Sequence, residues 1–324
     1  MRPAVGIVVL PMIIAGSGGL TACSGGSDDT APRRTDATAE PTTTTISSAQ
    51  RICSGELDAP VQVGTLEDPA LVEVSGVVAS RSQPGVLWVH NDSGDSARIF
   101  AIDRQGRRLG EFTISGVAAE DWEDIAIVAG NDGARDTIVV ADFGDFNGAR
   151  PTVDLVFVPE PTIPVDPAAP VAVDDASTVA YRYDDGPHEA ETLLADPRSG
   201  VMYVVTKEFV DAPQVFRVGA APAAGSTDPG VFERIGELDL GPARLVTGGD
   251  VSPDGSAIAL RTYTDVFVFS RDGDDLGAAF AGEPCAAVAP RERQGEAIAF
   301  LANGSGYITI GEDPGAPVWE VAIP

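Results

Sequence analysis

The feature that most constrains this chain is a diverged repeat of short apolar strands. Each unit opens with an acidic residue leading one apolar run, turns into a second run that ends in polar residues, and continues into a third. The first unit reads Glu73-Val-Ser-Gly-Val-Val, Val86-Leu-Trp-Val-His-Asn-Asp and Arg98-Ile-Phe-Ala-Ile-Asp. The others begin at Asp121, Glu189, Gly249 and Glu296 and carry their second runs at Thr137, Val201, Ala257 and Gly306. Short runs separated by Asp-Gly, Ser-Gly and Pro-Gly turn signals, with no sustained helical period, predict an all-β chain. Units of roughly 45 to 70 residues match four-stranded propeller blades, so the expected fold is a β-propeller. A β-sandwich is the competing arrangement, because short strands at regular spacing also suit it.

Fourth strands are expected at Leu109 to Ile114, Val179 to Tyr183, Phe232 to Leu238 and near Gly277 to Phe280. The fifth unit runs out of chain, so Val61 to Leu66 is expected to supply its outer strand and close the ring. That makes five blades, with Glu160 to Ala176 or Asp211 to Val231 as places where strands of a sixth would hide.

The first residues are of another kind. Met1-Arg2 is followed by an apolar or small stretch to Leu20, broken by Pro11, Gly16, Gly18 and Gly19, and then by Leu20-Thr21-Ala22-Cys23. Such a run is too short and too interrupted to span a bilayer and reads as a signal peptide over 1–22. Its last four residues look like a bacterial lipobox, which implies a diacyl lipid on Cys23 and a body anchored to the extracytoplasmic face of the cell membrane. Residues 23–50 are rich in Thr, Ser, Ala, Gly and Asp and read as a disordered tether, leaving 51–324 as the propeller domain. Cys53 and Cys285 remain. Outside the cytosol an even count favours a disulfide, with two buried free thiols as the alternative.

Charge narrows the partners. There are 49 acidic residues against 21 basic ones, a formal charge of -28, and Lys207 is the single lysine. That balance excludes nucleic acid and anionic lipid as main partners, since both need a basic footprint. Cations, a small polar ligand or a cell-surface protein remain, and the domain is expected to be a monomer.

Several motifs carry a resemblance. Ser75-Gly76, His90-Asn-Asp-Ser-Gly94, Asp121-Trp-Glu-Asp124 and Lys207 resemble a largely uncharacterised group of bacterial propeller proteins, related more distantly to esterase-like phytase and gluconolactonase/regucalcin propellers. The resemblance implies an exported propeller and carries no catalytic mechanism onto these positions.

In a propeller, the start of each inner strand and the end of each second strand share one face around the central channel. Glu73, Asp142, Glu191, Asp250 and Glu296 are thereby expected to line an acidic mouth. Asn91, Asp92, Glu123 and Asp124 are the expected ligand set for a hard cation such as Ca2+, which takes six to eight oxygens. His90 and His188 have no zinc spacing. The competing role for these side chains is turn capping. A binding or scaffold module follows, with a metal-dependent hydrolase of an ester, lactone or phosphate as the alternative. In that case His90, Lys207 and Arg261 are the candidate catalytic groups.

Overall fold

Residues 46–130, 134–223, 225–242 and 245–324 are described by the computed structural model; the signal peptide, Cys23 and all of the tether before Ile46 lie outside them. Among the described residues no helix is long and apolar enough to cross a membrane.

The body is all-β and propeller-like, and each repeat unit forms an antiparallel meander. The first contains Val74–Ala79, Val86–Asn91, Arg98–Asp103 and Arg108–Ile114. The second contains Trp122–Val128, Thr137–Asp142, Val153–Pro159 and Ser177–Tyr183, and the third Ala190–Ala195, Met202–Thr206, Gln214–Val218 and Gly230–Glu237. The fourth contains Val246–Val251, Ala257–Thr262, Val266–Ser270 and Cys285–Ala287. The last contains Gly295–Phe300, Gly306–Gly311 and Pro317–Ala322, and Val61–Thr65 pairs antiparallel with Pro317–Ala322. Parallel pairing of Tyr181–Tyr183 with Gly230–Phe232 joins the outer edges of the second and third units into one sheet.

Inner strands are apolar or small on both faces because both faces are covered. Val74–Ala79, Ala190–Ala195 and Gly295–Phe300 are buried throughout. Each inner strand lies against the next, and Gly295–Phe300 lies against Val74–Ala79, so the succession returns to its start. Five apolar clusters follow the same order, each filling the space between one unit and its neighbour. Trp88 and Trp122 both pack between the first and second units. Trp88 is fully buried, edge-on to Phe112 at 5.2 Å, and donates from Nε1 to Glu160 at 2.9 Å, which places it in packing.

Three expectations are corrected. The stretch near Gly277 to Phe280 forms a 3-10 helix, Gly277–Ala281, and the outer strand of that unit is Cys285–Ala287 instead. Leu276, Ala279 and Phe280 turn inward against Tyr203 and Phe269, a packing that period-2 alternation does not provide. Val171–Val173 in the long excursion adds parallel to the outer strand of the first unit and begins no further unit. Residues 48–50 are helical, where the tether was expected to reach Gln50. Ser47 and Gln50 form a reciprocal capping box on helix Ser48–Cys53, and Ala49 and Ile52 enter the apolar cluster between the fourth and fifth units. A capping box with two inward apolar residues outweighs the polar composition around it.

This helix is held by Ser48 and Ala49 amides donating to Asp254 and Ser256, at 2.9 and 3.2 Å, and by the Cys53–Cys285 disulfide, with Cα atoms 5.7 Å apart.

Candidate functional site

Residues alternate across a strand, so i and i+2 face one side. At two neighbouring inner-strand entries this rule brings together Asp121 with Glu123 and Glu189 with Glu191. Asp92 joins them from the end of a second strand. Oxygens of Asp92, Asp121 and Glu123 lie within 4.8 Å of one another, as do those of Glu123, Glu189 and Glu191. Glu123 belongs to both groups. It is 5 % exposed, and among the described residues no donor reaches its carboxylate. Gly144 makes the approach possible: a Cβ there would fall within the Glu123 and Asp121 carboxylates.

The electrostatics follow from burial and crowding. Burial, then the charges of Glu191, Asp92 and Asp121, push the Glu123 carboxyl well above its ordinary range. Burial raises Glu191 to about 8 and Glu189 to about 7, against the opposing pull of Lys207. Asp121 is raised to about 6 by burial and by Asp92. On the far side Glu296 is likewise raised well upward, by burial and by Glu191, and receives Gln294 Nε2 at 3.0 Å; the same amide donates to Glu312. Lys207 is the cation set into this group. Its ammonium bonds Glu191 and sits 4.9 Å over the Tyr263 ring. Burial alone would lower the Lys207 pKa, but Glu191 beside it moves it above the ordinary lysine range. One ammonium among so many carboxylates leaves a strongly negative, partly desolvated basin.

Asn91 and Asp124, two of the four expected ligands, stand outside both carboxylate groups. Asn91 accepts from the Val72 and Glu73 amides and donates to the Ala70 carbonyl and to Asp95, holding the segment that leads into the first inner strand. Asp124, fully buried, accepts from Ile125 and from Leu193 of the next inner strand, both at 2.8 Å. Alternation gives the reason: Asp124 follows Glu123 directly and faces the other way. Asp121 and Glu189 take the places in the groups, and the i, i+2 spacing was the signal for both.

Among the expected mouth residues, Glu191 and Glu296 lie inside the basin and Glu73 is exposed at its rim, its carbonyl accepting from the Asp92 amide. Asp142 sits one layer behind, bonded by the amides of Glu120 and Asp121, the Trp122 indole and Arg150. Asp250 is not at this mouth. It lies near the opposite end of its inner strand and bridges to the next one by accepting from Phe300 at 2.7 Å, and burial raises it to about 7.

The catalytic candidates separate as well. His90 is fully buried, with Nδ1 2.8 Å from the Asn91 carbonyl, and burial lowers it to about 4, so it stays neutral. Arg261 is fully buried and pairs with Glu292 at 2.6 Å, its guanidinium lying over Gly295. Lys207 alone of the three reaches the carboxylate groups.

Raised carboxyl values set a pH dependence with a definite sign. An Asp or Glu whose folded pKa exceeds the unfolded 3.8 or 4.5 supports the fold fully below the unfolded value and loses that support as pH rises through the folded value. Asp254, Asp95 and Asp196, which are lowered, act the other way in acid. The cation-free domain is therefore expected to be most stable near pH 5 and to lose about 2 kcal/mol or more between pH 5 and 9. Urea midpoints in chelator at pH 5, 7 and 9 check this; a rise across that range contradicts it.

No protein-family model matches the sequence, and no curated protein matches it. Among solved structures, the chain is similar to a gluconolactonase from Xanthomonas campestris, at 16% identity over 83% of this chain and 96% of that one, with a TM-score of 0.44. It is also similar to a glucose dehydrogenase, at 10% identity over 81% of this chain and 99% of that one, with a TM-score of 0.48.

Proposed function

We propose that this protein is a lipid-anchored envelope lipoprotein whose five-bladed propeller, closed by Val61–Thr65, acts as a binding module with a hard-cation site in its acidic mouth. The observation that carries the reading is Glu123, a buried carboxylate shared by two carboxylate groups and met by no donor among the described residues. Buried charges of one sign need a counter-charge, and an all-oxygen set suits Ca2+ better than zinc. Asp92, Asp121, Glu123, Glu189 and Glu191 would hold it, and the ion would supply the positive charge that Lys207 alone does not.

Lipid on Cys23 anchors the chain at the extracytoplasmic face, and the domain is a monomer there. The position of helix Ser48–Cys53 supports an outward-facing mouth. Its contacts are with Asp254, Ser256 and Gly304, in turns that join inner to second strands, at the end opposite the inner-strand entries.

A second reading, a metal-dependent hydrolase, draws on Glu189 and Glu191, whose pKa values of about 7 and 8 suit proton transfer beside the Lys207 ammonium. In it the base is Glu189, since His90 is sealed in the strand. Calorimetric titration of calcium into chelator-treated protein starting at Ser24 tests the first reading. Saturable heat with a raised melting temperature is expected; no heat and no shift overturn it. Turnover of p-nitrophenyl acetate, δ-valerolactone or p-nitrophenyl phosphate that chelator abolishes and Glu189→Gln depresses would establish the second.

A further inference from the structure

Beside the acidic basin stand two phenylalanines that the fold does not use. Phe146 is 72% exposed and Phe209 58% exposed, yet their rings meet edge-to-face with centroids 5.6 Å apart. They come from different units. Phe146 follows Asp145, whose amide donates to Glu189 at 2.6 Å, and Phe209 lies two residues beyond Lys207, which bonds Glu191. The pair is thereby fixed as a lip on the Glu189/Glu191 side of the mouth.

Water-exposed aromatic rings that touch one another contribute little to folding and leave an apolar patch at a site edge. An ion in the basin does not cover them. Covering both takes a body that reaches out of the mouth and over its rim, which is the size of a polypeptide segment and not of a small metabolite. The basin states the rest of the chemistry. Glu123 is buried and unpartnered in it, and the whole chain carries a charge of -28, so the occupant is cationic.

We infer that the Phe146–Phe209 lip and the adjoining Glu189/Glu191 carboxylates form a docking surface for a partner-protein segment in which a lysine or arginine neighbours large apolar side chains. The apolar residues cover the lip, and the cationic head enters the basin, where an ammonium or guanidinium also lies favourably against aromatic faces. This rests on the binding-module reading and not on calcium.

The test uses protein starting at Ser24 and two twelve-residue peptides, one alternating lysine with leucine and phenylalanine and one with serine at the apolar positions, titrated with and without calcium. The apolar peptide is expected to bind at least tenfold more tightly, and Phe146→Ser with Phe209→Ser to abolish that preference while the calcium titration stays unchanged. Equal affinity of the two peptides, no binding of either at millimolar concentration, or a preference that survives the double substitution overturns the inference. So does a concentration-dependent dimer that the same substitutions dissolve, because the lip would then be covered by a second copy of the chain. A calcium titration without heat, beside an intact peptide preference, removes the cation site and leaves the docking surface standing.

Discussion

Glu123→Gln is expected to weaken calcium binding about 100-fold or more while making the cation-free domain more stable. Both effects have one cause. Glu123 contributes an oxygen to each of the two carboxylate groups, so its loss disables both at once. For comparison, changes merely next to metal ligands typically cost 10–100-fold in affinity. Without an ion the same carboxylate is buried among Glu191, Asp92, Asp121 and Glu189, and its neutral isostere relieves that repulsion at no change in shape. Asp124→Ala is the control. It deprives the Ile125 and Leu193 amides of their acceptor and should destabilise the domain by about 2–3 kcal/mol, with calcium affinity little changed in the protein that folds. Titration and urea unfolding of both variants decide the matter. If Glu123→Gln destabilises and Asp124→Ala abolishes binding, the roles assigned to adjacent residues are reversed.

Removing the disulfide by Cys53→Ser with Cys285→Ser is the second large effect. The bridge closes a loop of sequence separation 232 and ties helix Ser48–Cys53 to the outer strand of the fourth unit. Loop-closure entropy for so long a loop gives about 3–5 kcal/mol, which corresponds to a fall in melting temperature of roughly 8 °C or more. The helix also leads into Val61–Thr65, the strand paired with the last unit, so the substitution loosens the place where the two ends of the chain meet. An unchanged melting temperature would mean that the capped helix and its bonds to Asp254 and Ser256 suffice.

The strands were legible because inner and second runs are long, apolar and bounded by turn residues. The elements that sequence reasoning misplaced are the ones that tertiary packing chooses. The 3-10 helix at Gly277–Ala281 exists because Phe280 reaches Tyr203 and Phe269, and the short helix at Ser48–Cys53 because Ala49 and Ile52 find an apolar cluster. At the site, composition and strand position pointed to the right end of the strands. They did not separate neighbours whose side chains face opposite ways, and so Asp124 was grouped with Glu123 while Asp121 and Glu189 were left out of the ligand set. Strict i, i+2 counting from the strand starts would have made that distinction. Gly144 carried no such signal, since only the fold brings the Asp121 and Glu123 carboxylates against its backbone. The same holds for Phe146 and Phe209, 63 positions apart and in contact only because adjacent units place their loops side by side.

The central claim is a cation centred on Glu123, and the most direct test is a crystal of the calcium-loaded protein measured for the anomalous scattering of calcium. The account predicts a peak in the mouth with the Glu123 carboxylate about 2.3–2.6 Å away and further oxygens from Asp92 and Asp121 or from Glu189 and Glu191. A mouth without a peak in crystals grown at saturating calcium, or a peak held only by residues elsewhere, would contradict it.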